Sequence, residues 1–233
     1  MYSINPEKPR TSQIRNWCST ILLLTSVLLR PQQGFPAGIT AQVSDSAGQP
    51  LEDAVISLTP GNSASPPLAN TAPVAVMDQW NKEFTPFVLP VQVGTLVKFP
   101  NRDNIKHHVY SFSPTKRFEL KLYSAGAAPP MQLDKPGIVT LGCNIHDWML
   151  GYIDVLETPY FAKTNEHGVV VIAGIPDGRY QVEVWHPRIS GNVKDFTQKV
   201  SLSGTQPIAV HFSLPLKRDP RRSPPRYFEG EGY

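Results

Sequence analysis

From residue 38 onward the chain alternates apolar and polar positions in short runs broken by glycine, proline and asparagine, with few helical patterns. "GITAQVSDSAGQPLEDAVISLTP", residues 38–60, alternates on either side of "DSAGQP" and predicts two strands joined as a hairpin. Val91, Val93 and Leu96–Phe99 predict strands around a turn at Gly94, Asn101–Asp103 a further turn, and "HHVYSF" the next strand. Towards the C-terminus, Asn165–Gly168 and Pro176–Gly178 bracket "VVVIAGI". "YQVEVW" then puts Tyr180, Val182 and Val184 on one face, and "QKVSLSG" and "PIAVHFSL" supply two more strands. The pattern is that of a turn-rich, all-β chain.

Composition agrees. With 24 Pro and 16 Gly in 233 residues the chain is turn-rich, and 40% hydrophobic with 18% charged residues is globular. A net charge of +3, without interleaved arginine and aromatic residues, argues against nucleic acid as a partner. The N-terminus reads as an export signal over residues 1–37. Lys8, Arg10 and Arg15 precede the uncharged run Trp17–Leu29, which is short for a bilayer span. Ala37, Gly38 and Ala41 offer cleavage positions, and an uncleaved anchor is the alternative. Cys18 precedes the apolar run and does not look like a lipidation site. Residues 216–233 are basic and proline-containing and read as a disordered tail. Contact with a membrane is expected only through the signal or this tail.

Export changes the meaning of the cysteines. Once residues 1–37 are removed, Cys143 is the only thiol, so it forms no internal disulfide and is inert, paired between molecules or holding a ligand. Its surroundings, "LGCNIHDWMLGYI" at 141–153, favour a ligand: Cys143, His146 and Met149 offer thiolate, imidazole and thioether within seven residues. That soft set suits copper above magnesium, calcium or manganese, and a second imidazole would complete a Cys–His–His plane with a weak axial Met. The histidines of "NRDNIKHHVYSF" are candidates. Taken singly, each of these residues is more often core packing or a satisfied polar group; their order and spacing together point to a metal.

These two segments, "EFTPFVLPVQVGTLVKFPNRDNIKHHVYSF" and "KPGIVTLGCNIHDWMLGYIDV", resemble the halves of a cupredoxin of the plastocyanin and amicyanin type. The short gap between His146 and Met149 resembles amicyanin. Over about residues 38–215 the chain is also similar to bacterial methylamine utilization and plastocyanin-like proteins. The resemblance implies a Greek-key copper domain over 73–157, with His107, Cys143, His146 and Met149 as ligands. It also implies that Asn101 hydrogen-bonds near the cysteine sulfur. The doubled histidine leaves His108 as the alternative to His107, since strand alternation turns only one of them inward.

The flanking segments resemble a carboxypeptidase regulatory-like, transthyretin-like sandwich. Its opening motif lies at Gly48–Leu58 and its continuation at Thr164–Val184, so the resemblance implies a split domain (38–60 and 158–215) with the copper domain inserted. Two consecutive domains are the alternative. His167, His186 and His211 share no spacing and read as structural or surface residues. No G-x-S-x-G or H-E-x-x-H motif occurs, so the expectation is a carrier and not an enzyme, with no catalytic residues. The implied activity is single-electron transfer by a periplasmic type 1 copper protein, meeting a redox partner through a transient patch around His146 and Trp148. A non-redox copper carrier or store, or a metal-free binding module, are the alternatives.

Overall fold

The computed structural model describes residues 38–61, 73–204 and 206–219; the expected signal and nearly all of the expected tail lie outside them. It is all-β, apart from one 3-10 turn at Val193–Phe196. No helix among the described residues is long and apolar enough to cross a membrane.

The chain opens with β1 (Ile39–Asp45) and β2 (Val55–Pro60). Six strands follow: β3 (Val74–Val76), β4 (Asp78–Trp80), β5 (Glu83–Thr85), β6 (Val88–Gln92), β7 (Thr95–Lys98) and β8 (Pro100–Asn101). Next come β9 (His107–Ser111), β10 (Phe118–Tyr123), β11 (Gly126–Ala127), β12 (Met131–Leu133), β13 (Gly137–Cys143) and β14 (His146–Leu156). The last group is β15 (Phe161–Lys163), β16 (Val169–Ile172), β17 (Gly178–Trp185), β18 (Gln198–Leu202) and β19 (Ile208–Leu214).

Strands β3–β14 pair only with one another. They form a five-stranded sheet in the order β10-β9-β13-β14-β6 and two smaller sheets, β11-β8-β4-β5 and β12-β7-β3. Their inward positions make one core, in which Phe99, Val97, Val109, Leu141, Ile153 and Met77 are fully buried. Gly142 leaves room for Tyr110 on the neighbouring strand β9: a Cβ there would lie 2.7 Å from the Tyr110 ring and force it to shift.

The outer strands form two further sheets, β16-β1-β19 and β15-β2-β17-β18, over a second core that includes Ile39, Ala41, Ile56, Leu58, Val182, Val184 and Leu214. Residues 39–60 therefore pair with residues 161–214, across the whole intervening segment. The predicted hairpin between β1 and β2 does not form. The Asp45 carboxylate accepts from Ala47 N and Gln49 N and folds the chain at the end of β1, and the following residues cross to the opposite sheet. Val55–Leu58 are buried at four consecutive positions, a burial that a solvent-faced hairpin strand would not give. Gly168 makes the predicted turn at 165–168 possible. It has φ +70 and a Cβ would lie 2.3 Å from Val43 O. Two residues at the start of the expected tail have backbone partners: Leu216 bridges to Ile189, and Lys217 N donates to Arg188 O.

Candidate metal centre

The centre is built where β9 begins and where the β13–β14 hairpin turns. β9 alternates strictly, His107 (0% exposed), Val109 and Ser111 facing in, His108 and Tyr110 facing out. Strand parity thus selects His107. His108 turns to the other face, with Nε2 2.8 Å from Glu119 Oε1. β13 ends at Cys143 and β14 begins at His146, so Asn144–Ile145 is a two-residue turn with Cys143 and His146 paired across it. This close pairing brings the thiol and the second imidazole together from a spacing of three.

Cys143 Sγ lies 3.7 Å from His107 Nδ1 and 3.5 Å from His146 Nδ1. The three ligand atoms lie within 4.8 Å of one another, and all three residues are buried. The imidazole centroids are 5.0 Å apart. Met149, 2% exposed, is buried in the same core as Cys143, and the two line a cavity of about 550 Å³ with Tyr110, Gly142, Trp148 and Leu150. The Trp148 ring lies 5.3 Å from that of His146.

Both histidines aim Nδ1 at the sulfur, and for His107 the reason is visible. Its Nε2 is 2.8 Å from Asp103 Oδ2. That carboxylate also accepts from Asn81 N at 2.8 Å and Lys82 N at 2.9 Å, in the turn of the β4–β5 hairpin. Asn81 and Lys82 both have positive φ (53° and 60°), as a two-residue hairpin turn of this hand requires. Asp103 was missed in the sequence reading, although a carboxylate four residues before a candidate ligand is the signal that marks it.

Asn101 braces the same loop. Its Nδ2 donates to Ile105 O (2.8 Å) and Tyr123 O (3.2 Å), and its Oδ1 accepts from Asp103 N (2.9 Å). It therefore positions Asp103 and the approach to His107. The backbone N–H donors at the sulfur come instead from His108 and Ile145. Gln79, fully buried, donates to Pro100 O and Tyr123 Oη beneath this loop, and Tyr123 Oη donates to Phe99 O at 2.9 Å.

Protonation follows from these contacts. Burial pushes the Cys143 thiol up, but hydrogen bonds from His107 and from the backbone N–H of His108 and Ile145 outweigh it and hold the thiol below its usual range. Burial alone would lower His107; its bonds to Cys143 and Asp103 raise it instead. His146 is lowered by burial and by the charges of His107 and Lys82, which favours the neutral imidazole a metal needs. Burial raises Asp103, and the donors Lys82 N, His107 and Asn81 N bring it below the ordinary carboxylate value.

The donor set fits a soft cation. One thiolate-prone sulfur and two imidazole Nδ1 atoms converge in a buried space, and the nearest carboxylate, Asp103, is bonded to the far nitrogen of one ring. That is the arrangement by which an outer carboxylate fixes a metal-binding imidazole.

No protein-family model matches the chain, and no curated protein matches it. Among solved structures, the chain is similar to a Cu(I) amicyanin variant at 23% identity and TM-score 0.32. The match covers 43% of this chain and 99% of that one. An oxidised amicyanin variant matches at 24% identity and TM-score 0.33 over the same shares. A copper-containing nitrite reductase from Thermus scotoductus matches at 26% identity and TM-score 0.34, over 50% of this chain and 28% of that one.

Proposed function

We propose that the chain is an exported type 1 copper protein, carrying single electrons to or from a periplasmic oxidoreductase. The observation that carries this reading is the convergence of Cys143 Sγ with the Nδ1 atoms of His107 and His146 in a buried cluster. These three residues would hold the copper, with Met149 as a weak fourth donor. When bound, copper supplies a one-electron couple suited to thiolate and imidazole donors.

The chain's own groups prepare that site. Two backbone N–H groups and His107 hold the Cys143 thiol below its usual range, which favours the thiolate a metal needs. Asp103 fixes the His107 ring, and the Asn81–Lys82 turn fixes Asp103. Nothing needs to move to expose or assemble the donors, which suits electron transfer with little rearrangement. His146, 9% exposed beside Trp148, is the ligand nearest to solvent, and the patch around these two is the proposed contact for a transient partner.

The reading has three further parts. Residues 1–37 are the export signal that delivers the protein to the periplasm. The copper domain, 73–157, is inserted in a sandwich made of 38–60 and 158–215, a reading supported by the pairing of β1 with β16 and β19 and of β2 with β15 and β17. The chain is a carrier and not an enzyme.

The test is copper loading of the mature protein. Intense visible thiolate-to-copper absorption, with rapid electron self-exchange that His146→Ala abolishes, is the expected result. Colourless binding selective for Cu(I) would replace the carrier of electrons with a carrier of copper, and no metal uptake by the folded protein would leave only a binding module.

A further inference from the structure

The β4–β5 hairpin has two properties that the ligand cluster does not use. Its last residue before the turn, Trp80, leaves 45% of its surface exposed, and the Arg102 guanidinium lies 5.2 Å above the ring centroid. Exposed tryptophan and arginine are the residue types that dominate protein contact surfaces. Secondly, the acidic groups of this region face inward. Asp78 is 9% exposed, accepts from Gln79 N and pairs with Arg102; Asp103 is taken up by Asn81 N, Lys82 N and His107.

Outward cations outnumber outward carboxylates. Lys106 is exposed, Lys82 is half-buried, and Arg102 keeps a side chain 57% exposed although its charge is shared with Asp78; Glu83 is the exposed carboxylate that the hairpin itself carries. Ile145, 48% exposed between Cys143 and His146, adds an apolar position on the ligand turn. The hairpin is also wired to the centre, because its turn N–H groups end on the carboxylate that holds His107 Nε2.

We propose that the β4–β5 hairpin and the 101–107 loop form a docking surface for an acidic redox protein, with Trp80 and Arg102 as the contact and Lys106 as a steering charge. This rests on the electron-carrier reading for its purpose, but its charge and exposure can be tested without copper. Steering of this kind acts on encounter rates and weakens with salt.

Two measurements test it. On the metal-free chain, Trp80 fluorescence, taken as the difference between the unmodified protein and Trp80→Phe, is quenched by iodide and by caesium. The iodide-to-caesium quenching ratio is expected to exceed that of free N-acetyltryptophanamide at least about twofold, and Arg102→Gln to remove that excess. A ratio equal to or below that of the free indole would overturn the proposal. On the copper-loaded chain, one electron passes from ferrocyanide to the oxidised centre. Lys106→Glu should slow this about fivefold at low salt and leave, or speed, reduction by a cationic cobalt(II) phenanthroline complex. Equal effects on both reagents, or none on either, would overturn it. If the unmodified protein shows no thiolate-to-copper absorption, the electron-carrier reading fails by that observation alone, and the iodide result still decides whether the surface is cationic.

Discussion

Asp154 lies on β14 in the five-stranded sheet, 4% exposed, and its carboxyl is pushed up from 3.8 to about 7 by burial and by the nearby charge of Glu183. Between pH 4 and 7 the folded chain therefore holds a proton that the unfolded chain has released. Stability conferred by the neutral form is fully present below the unfolded value, falls as pH rises towards 7, and is gone above it. The distance between 3.8 and about 7 corresponds to about 4 kcal/mol, at roughly 1.4 kcal/mol for each tenfold change in proton affinity. Asp154→Asn removes the ionisation but buries an amide in its place, at a cost of about 1–3 kcal/mol. At pH 8 the variant is thus expected to be more stable by about 1–3 kcal/mol, and at pH 5 this advantage to shrink by about 2.5 kcal/mol, to between about 0.5 kcal/mol more and about 1.5 kcal/mol less stable than the parent. Urea unfolding of the metal-free protein at both pH values measures the difference without contribution from metal binding. A stability change of the same size and sign at pH 5 and pH 8 would refute the reasoning, because it would show that the carboxyl does not titrate abnormally.

Three other outcomes follow from contacts described above. Asp103→Asn should lower affinity for copper by about 10–100-fold and raise the reduction potential, since a carboxylate no longer strengthens His107 as a donor; competitive chelation and voltammetry read the two effects. Gly168→Ala should destabilise the outer sandwich by more than about 1 kcal/mol in urea, because the new Cβ meets Val43 O in a backbone conformation that alanine avoids. Met149→Gln should keep the visible absorption and shift the potential, the response expected of a weak axial donor; loss of the absorption would remove Met149 from that role.

The ligand cluster was largely legible in the sequence, for a geometric reason. A Cys–x–x–His spacing between two apolar runs closes into a two-residue turn, so the chain order alone brings Cys143 and His146 together. The choice between His107 and His108 needed only the parity of β9, which the buried Val109 and Ser111 settle. Asp103 was legible only in part: its place four residues before His107 is a local signal, but the Asn81–Lys82 turn that braces it lies some twenty residues away and no local pattern encodes that pairing. β1 and β2 were read correctly as strands, but β2 is buried at four consecutive positions and does not alternate, and the partners of both were missed. Alternation reports which face is buried and is silent on which sheet receives it, and both strands lie between two partners from the last third of the chain. β15, for which no strand is predicted from the sequence, is three residues long with every position half-buried, too short to leave a period.

The central claim is that Cys143, His107 and His146 bind one copper ion through sulfur and two imidazoles. Visible absorption and EPR spectra of the copper-loaded mature chain, recorded beside Cys143→Ala, test it most directly. The account predicts an intense thiolate-to-copper band and the narrow copper hyperfine splitting of a covalent Cu–S bond, both lost in the variant. Copper spectra that are identical with and without the Cys143 sulfur would contradict it.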